Sequence, residues 1–102
     1  MEGTEGGSHG DIEEHYRFAA ISHPLRQAIL RLLADRGEAD EGEIAAALDE
    51  RRARIAYHLR VLVGRDALKA AARGRSRALY RWAPDARWAR KLLEEDDEEE
   101  PQ

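Results

Sequence analysis

Hydrophobic side chains recur at helical spacing along the first part of the chain, and polar or proline-containing breaks separate the runs. A first helix is predicted to begin behind Asp11, a candidate N-cap, and to stop at Ser22-His23, because a proline disfavours helical geometry in the residue before it. Pro24 suits the first turn of a second helix, which is predicted to reach Arg36 and to be capped by Gly37. The apolar stripe of the second helix consists of Leu25, Ala28, Ile29, Leu32 and Leu33.

Two further runs predict a pair of helices joined by a turn. Residues 38–40 are expected as a loop, residues 41–48 as a third helix, Asp49-Glu50 as a turn and residues 51–64 as a fourth helix. The fourth helix carries Ile55, Leu59 and Leu62 on its inner face and Arg54, Tyr57, Arg60 and Val61 on its outer face. A short helix, a turn and a longer amphipathic helix are the pattern of a helix-turn-helix.

After Asp66 the hydrophobic period shortens to that of strands. Residues 68–72 and 77–82 are predicted to form a hairpin with a turn at residues 73–76. Leu79 and Trp82 are expected to point to the core and Arg77 and Arg81 away from it, with packing favoured over base stacking for Tyr80 and Trp82.

Pro84 is expected to open a last helix, whose apolar positions are Trp88, Ala89, Leu92 and Leu93. The predicted fold is therefore mainly α with a small β-hairpin, a winged helix-turn-helix in the order α-α-α-α-β-β-α. Residues 1–10, which contain four glycines, are expected to be disordered, residues 11–93 to fold and residues 94–102 to form an acidic disordered tail. A core of roughly 80 residues is marginal alone, so oligomerisation is expected.

Charge is distributed unevenly and changes the functional picture. Between Arg51 and Lys91 the chain has thirteen Arg or Lys residues against only Asp66 and Asp85, a net charge of +11, whereas the whole chain sums to −4. A solvated surface is the ordinary explanation of a charge run. A polyanionic partner is favoured because the block falls on two ordered elements, and each phosphate that Arg or Lys neutralises releases counterions.

The two elements suit duplex DNA, since an α-helix fits the major groove and a hairpin tip can enter an adjacent minor groove. The folded segment is therefore interpreted as a DNA-binding and dimerisation domain. The candidate DNA-binding residues are Arg51, Arg52, Arg54, Tyr57, His58 and Arg60 on the fourth helix and Arg73, Arg75 and Arg77 on the hairpin. His58 is expected to orient within that helix or touch a phosphate, and His23 to act as a local cap.

Composition excludes several other functions. The chain has no cysteine, which removes disulfides, thiolate metal sites and cysteine nucleophiles. No apolar run is long enough to cross a bilayer and no signal peptide is evident, so a cytoplasmic protein without membrane contact is expected. Asp11 and His15 share a helix face with His9 upstream, but such pairs are common by chance, and neither a metal nor a cofactor is predicted. No catalytic triad or phosphate-binding glycine loop is present, so the protein is not expected to be an enzyme.

The segment from Ile21 to Trp82 resembles the ArsR family of bacterial and archaeal winged-helix transcriptional regulators. The resemblance rests on residues 22–33, similar to that family's Pro-x-Arg-x-x-Ile-Leu opening, on residues 43–48, and on residues 55–62, which correspond to its recognition helix. It implies a homodimer held by the first and last helices that binds a twofold-symmetric operator and represses transcription until an unknown effector releases it. The implied dimer contacts are Ile12, Tyr16, Trp88 and Leu92; alternatively, these side chains close the core of the monomer.

Three departures from the family pattern matter. Arg51 stands where a small polar cap is common, which leaves Asp49 as the candidate cap, and Asp66 replaces the usual glycine before the wing. Asp tolerates left-handed geometry better than most residues. The family's metal sites need cysteines on the third helix or histidines on the last one, and this chain has neither.

Two alternatives remain open. The winged helix could instead be a protein-interaction module that dimerises or binds an acidic partner without reading DNA. The acidic tail could fold back on the basic surface and compete with phosphates.

Overall fold

The computed structural model describes Arg17, residues 19–73 and residues 77–98, with the backbone alone at residues 73, 77 and 95–98. The elements in chain order are α1 (Pro24–Arg36), β1 (Ala39–Asp40), α2 (Glu41–Leu48), α3 (Arg52–Gly64), β2 (Leu68–Arg73), β3 (Arg77–Trp82) and α4 (Arg87–Glu98). Arg17 and residues 19–21 are also helical and belong to the first predicted helix. Three predictions concern residues outside the described part of the chain. They are the N-cap Asp11, the disorder of residues 1–10, and the helix face that Asp11 shares with His15, with His9 upstream.

The two ends of α1 follow directly from the sequence. The ring Nδ1 of His23 accepts the backbone N–H of Leu25 at 3.1 Å, so the predicted histidine cap is confirmed. Gly37 ends the helix with φ 93°, a conformation that costs glycine little, and its N–H donates to the carbonyl of Leu33 at 2.8 Å. The predicted bounds are confirmed. The buried residues are Ile29, Leu30 and Leu33, so the predicted stripe missed Leu30.

The loop predicted at residues 38–40 is wrong in part, because Ala39–Asp40 forms β1. Ala39 pairs with Tyr80 and Asp40 with Leu79 in an antiparallel arrangement, and the sheet order is β1-β3-β2. A two-residue strand is too short to show the alternation of apolar and polar residues by which strands are predicted from sequence. It exists because β3 offers a free edge beside the start of α2.

The N-terminus of α2 is a complete capping box. The Oδ1 of Asp40 accepts the N–H of Glu43 at 2.8 Å, and the carboxylate of Glu43 accepts the N–H of Asp40 at 2.9 Å. Two backbone donors that the helix leaves unsatisfied thus receive partners. This box fixes the angle at which the chain leaves β1 and enters the helix-turn-helix.

Replacing Asp40 with alanine is expected to lower the free energy of unfolding by about 1 kcal/mol, since one capping acceptor is removed. Asp40→Asn keeps an acceptor oxygen and loses only the charge, so it should cost about half as much. Urea denaturation with an unchanged m-value measures both. Equal losses for the two variants would assign the effect to charge rather than to the hydrogen bond.

The turn between α2 and α3 is made by Asp49. This residue is left-handed, with φ 55°, and its N–H reaches the carbonyls of Ala45 and Ala46, so it ends α2. The expectation that Asp49 caps the following helix is therefore wrong. Arg51 is the N-cap of α3, in extended geometry and without a side-chain capping hydrogen bond, and the helix begins at Arg52 rather than Arg51.

The wing follows a second left-handed aspartate, because Asp66 has φ 64° and takes the geometry expected at this position. Strand β2 runs one residue further than predicted, to Arg73. Tyr80 and Trp82 lie on the face of β3 that packs against the core, and the indole Nε1 of Trp82 donates to the carbonyl of Leu30 at 2.9 Å. The core direction predicted for Leu79 is wrong, since it alternates with Tyr80 and faces the other way.

The core lies between the helices and one face of the sheet. Its largest fully buried side chains are Ile21, Ile29, Leu30, Leu33, Ile44, Ile55, Leu59, Leu62 and Leu68. They come from residues 19–21, from the three helices α1, α2 and α3, and from strand β2. The position of α3 is therefore set by side chains on its inner face that contact several elements.

The last helix starts later and ends later than predicted. Residues 84–86 form a turn, so α4 begins at Arg87 rather than at Pro84, and it continues to Glu98. The helix thus runs five residues into the segment predicted as a disordered tail, where glutamates are good helix formers. Ala89 and Leu93 are buried, while Trp88 and Leu92 are half-buried and pack on the core. No helix in the described part of the chain is long and apolar enough to cross a membrane.

Candidate nucleic-acid interface

The outer face of α3 presents two large side chains to solvent. Tyr57 is 54% exposed although it is aromatic, and Arg60 is exposed one turn further on. Ala53 and Gly64 lie on the same face at helical spacing, so small residues flank the pair on both sides. Val61, predicted to belong to this face, is half-buried and packs on the core instead. The result is a narrow polar ridge that can enter a groove.

The N-terminus of α3 concentrates positive charge. Arg51, Arg52 and Arg54 are all exposed. The Nε of Arg52 lies 3.1 Å from Oε1 of Glu41, and the Nη1 of Arg54 lies 3.7 Å from Oε1 of Glu50. Exposed ion pairs of this kind contribute about 0–1 kcal/mol each, so an arginine can exchange its carboxylate for a phosphate at little cost.

The same N-terminus has no side-chain cap, which matters for anions. The first N–H groups of a helix lack internal partners, and the helix dipole makes this end positive. Three arginines beside it are unfavourable in isolation. A phosphate placed there would accept the free N–H groups and neutralise the arginines together.

His58 does not belong to this surface. The sequence placed it among the candidate DNA contacts, but it is only 5% exposed and its ring lies 4.5 Å from the ring of His23, between α1 and α3. Of the two roles predicted for His58, the burial favours orientation within the helix over contact with a phosphate. On the helical wheel His58 lies beside the buried Leu62, and its burial is decided by α1, which the local pattern of α3 does not contain.

The wing carries a second basic surface, on the face of the hairpin away from the core. The strand register places Lys69 opposite Arg81, and Arg73 opposite Arg77 nearer the tip. Lys69 and Arg81 are both exposed. Like charges directly opposite one another destabilise a sheet, so the arrangement favours an anionic partner.

Lys69 and Arg81 were missed among the site residues predicted from the sequence. Their signal is the strand register, which brings residues twelve positions apart side by side. Arg73 and Arg77 lie at the end of the hairpin as predicted, and Arg75 lies outside the described residues. The alternation of β3 alone did predict that Arg81 points outward.

The predicted dimer contacts are only partly described. Trp88 and Leu92 are half-buried on α4, and the guanidinium of Arg17 lies 5.2 Å from the centre of the Trp88 ring. Ile12 and Tyr16 lie outside the described residues. Among the described residues no group of three or more histidine, aspartate or glutamate side chains is placed to hold a metal ion.

Comparison with known proteins agrees with this fold. Residues 21–69 match the family model of a helix-turn-helix domain. The structure is similar to the homodimeric winged helix-turn-helix DNA-binding domain of a possible ArsR-family transcriptional regulator from Mycobacterium bovis, with TM-score 0.79 and 25% identity over 92% of this chain and 87% of that one. The chain has an ArsR-like winged helix-turn-helix fold. This fold is shared with the DNA-binding domain of a possible transcriptional regulator.

More distant structures share the ArsR-like fold. NolR from Sinorhizobium fredii has TM-score 0.78 and 18% identity over 91% of this chain and 89% of that one. The transcriptional repressor PagR of Bacillus anthracis has TM-score 0.71 and 21% identity over 84% of this chain and 98% of that one. A sequence search of curated proteins gives no match.

Proposed function

We propose that this ArsR-like protein is a dimeric, sequence-specific transcriptional regulator that reads the major groove with α3. The observation that carries the proposal is the exposed ridge of Tyr57 and Arg60, which rises from a helix whose N-terminus is uncapped and bears three arginines. Side chains on the ridge contact base edges, and Arg51, Arg52 and Arg54 contact the flanking phosphates.

The wing adds phosphate contacts beside the helix. Lys69 and Arg81, with Arg73, Arg75 and Arg77 nearer the tip, follow the backbone or enter the adjacent minor groove. Because these two basic surfaces are separated, contacts at both would fix the orientation of the domain on the duplex as well as increase its affinity. Arg90, which also belongs to the basic segment 51–91, contributes less to DNA binding in this proposal, because its guanidinium packs 5.3 Å from the centre of the Trp82 ring.

Dimerisation is supported by the size of the domain and by the similar domain from Mycobacterium bovis, which is homodimeric. In this proposal residues 11–93 form the DNA-binding and dimerisation domain, with Ile12, Tyr16, Trp88 and Leu92 at the seam. We propose repression as its mode, since a domain that covers operator DNA blocks access to it without a second contact. With no cysteine in the chain, the signal that releases DNA does not act through a thiolate metal site.

Selection of bound duplexes from a random pool tests this function. A twofold-symmetric motif with half-sites about one helical turn apart is expected, because two copies of α3 must enter successive major grooves. A matched selection with Tyr57→Ala and Arg60→Ala combined should enrich no motif. If the wild-type protein enriches none either, the chain does not read sequence, and a protein-interaction module becomes the better explanation.

Changing Lys69 and Arg81 together to threonine separates the wing's role in binding from its role in folding. We expect the free energy of unfolding to rise by about 0.2–1 kcal/mol, because a like-charge cross-strand pair is replaced by β-formers. DNA binding should weaken, with the salt slope smaller by about 0.9 for each phosphate that the variant no longer neutralises. Thermal unfolding and anisotropy titrations measure the two effects. Unchanged binding and salt slope would remove this face of the wing from the interface.

A further inference from the structure

Three polar side chains meet between α1 and α3 and form what we call the Arg26 link: His23, Arg26 and His58. The Nη1 of Arg26 lies 3.5 Å from Nδ1 of His58, and its Nη2 donates to the carbonyl of Ala19 at 3.4 Å. The His58 ring lies against the ring of His23, tilted by 42°, with ring centres 4.5 Å apart. One guanidinium therefore joins the end of the helix that precedes α1 to the middle of α3.

The link requires both histidines to be neutral. Arginine has only donors, so the Nδ1 of His58 must accept and its ring proton must sit on Nε2. The Nδ1 of His23 also accepts, from the backbone N–H of Leu25 at 3.1 Å. A proton added to Nδ1 of either ring would face a donor, and the hydrogen bond would break.

The surroundings of His58 oppose its protonation. Burial lowers the pKa of His58 below 6.5, and positive charge close by lowers it further, from His23 whenever that ring is protonated, from Arg26 on α1 and from Arg54 on α3, while Glu50 acts in the opposite direction. The folded state therefore binds this proton less well than the unfolded chain does. The stability that the neutral ring provides is present above pH 6.5 and is lost as the pH falls through the folded-state pKa.

The link ends at His58, next to Tyr57 of the exposed ridge of α3. Tyr57 packs edge-on against His58, with ring centres 5.1 Å apart. Arg54, one turn earlier, contributes to the charge around the same imidazole. The way His58 is held therefore bears directly on the placement of Tyr57 in the exposed ridge.

We propose that Arg26 is a positioning residue for DNA recognition, which acts through His58 to hold α3 against α1 and the helix end at Ala19. The proposal rests on the DNA-binding function proposed above. Arg26 itself touches no DNA. Its Nε is buried without a hydrogen-bond partner among the described residues, so the two terminal nitrogens make the contacts that matter.

Duplex affinity at pH 7.5 and 5.5 tests the proposal, measured with the full chain at fixed salt. His9→Gln and His15→Gln are combined as the background, so that His23 and His58 are the remaining histidines. Affinity should fall at the lower pH to the extent that His58 takes up a proton, by about fivefold when protonation is complete, which is the size of a modest coupling between sites. Arg26→Gln should already bind about fivefold more weakly than the background at pH 7.5, and its affinity should change less than that of the background between pH 7.5 and 5.5.

Two variants serve as controls for structural damage. His58→Gln keeps an acceptor for Arg26 but does not titrate, so it should bind within about twofold of the background at pH 7.5 and lose most of the pH dependence. Arg36→Gln removes an exposed arginine at the far end of α1 and should keep the background profile. Background affinity in Arg26→Gln at both pH values, or an equal loss of affinity at pH 5.5 in the background and in His58→Gln, would overturn the positioning role.

Nitrogen-15 NMR of the histidine side chains separates this proposal from the proposed function. The Nδ1 of His58 should appear unprotonated at pH 7.5, and the pKa of His58 should rise in Arg26→Gln because one opposing charge is removed. Absence of duplex binding at both pH values contradicts the DNA-binding function, and the positioning role with it. Duplex binding together with a His58 titration that ignores Arg26 contradicts the positioning role alone.

Discussion

Replacing Tyr57 and Arg60 together by alanine is expected to weaken binding to the selected duplex by about a hundredfold, because each good base contact contributes about 1–3 kcal/mol. Both side chains are exposed on the outer face of α3, so their removal opens no cavity in the core. Binding to an unrelated duplex should weaken much less, since phosphate contacts dominate there. Anisotropy titrations with the two duplexes give both numbers.

The matched control for this pair is Arg87→Ala, which removes one exposed positive charge from the first turn of α4. We expect it to change affinity for the two duplexes by the same small factor. Equal weakening of both duplexes by the Tyr57 and Arg60 changes would assign that ridge to phosphate contacts. Full affinity of the double variant for the selected duplex would show that α3 does not read the major groove.

The second large effect is expected in the core. Leu59→Ala should lower the free energy of unfolding by about 3 kcal/mol, because a side chain that is 1% exposed leaves a cavity where α3 meets the rest of the domain. For a domain of this size that corresponds to a fall in Tm of roughly 12–24 °C. Thermal unfolding followed by circular dichroism measures it.

Leu59→Met is the control, since it conserves volume and should cost less than about 1.5 kcal/mol. Specific DNA binding by Leu59→Ala should recover at temperatures well below its Tm, because Leu59 points away from the groove. A cost below about 1 kcal/mol for the alanine variant would mean that core packing does not hold α3 in place.

Elements with sharp ends were predictable from the sequence. Pro24 and Gly37 fix α1, because one suits a first helical turn and the other takes a left-handed φ of 93°. The predicted bounds Glu41–Leu48 are also confirmed, and the structure shows the local signal that fixes the start of this helix, the N-cap Asp40, which the prediction from the sequence did not use. These signals are local, and they need no partner elsewhere in the chain.

Features that depend on a partner were not predictable in the same way. Strand β1 has two residues and exists through its pairing with Tyr80 and Leu79 on β3. His58 is buried because His23 arrives beside it from α1. In each case the deciding contact is between residues more than thirty positions apart in the sequence.

The candidate interface also contains residues that local sequence signals identify and residues that only a contact with a distant partner identifies. Arginines at the start of α3 were found from charge and helix position, and the structure shows them exposed. Lys69 and Arg81 required the register of the hairpin before their common face could be recognised. The same hairpin register explains why Leu79, an apolar residue, lies on the basic face rather than in the core.

Salt dependence of duplex binding is the sharpest test of whether α3 docks on DNA with its arginine-bearing N-terminus against phosphates. The logarithm of affinity is plotted against the logarithm of salt concentration for the wild-type chain, Arg54→Ala and the control Arg36→Gln. We expect a steep line for the wild type, a slope smaller by about 0.9 for Arg54→Ala and an unchanged slope for Arg36→Gln. Superimposed lines for the wild type and Arg54→Ala, or no duplex binding at low salt, would contradict this docking.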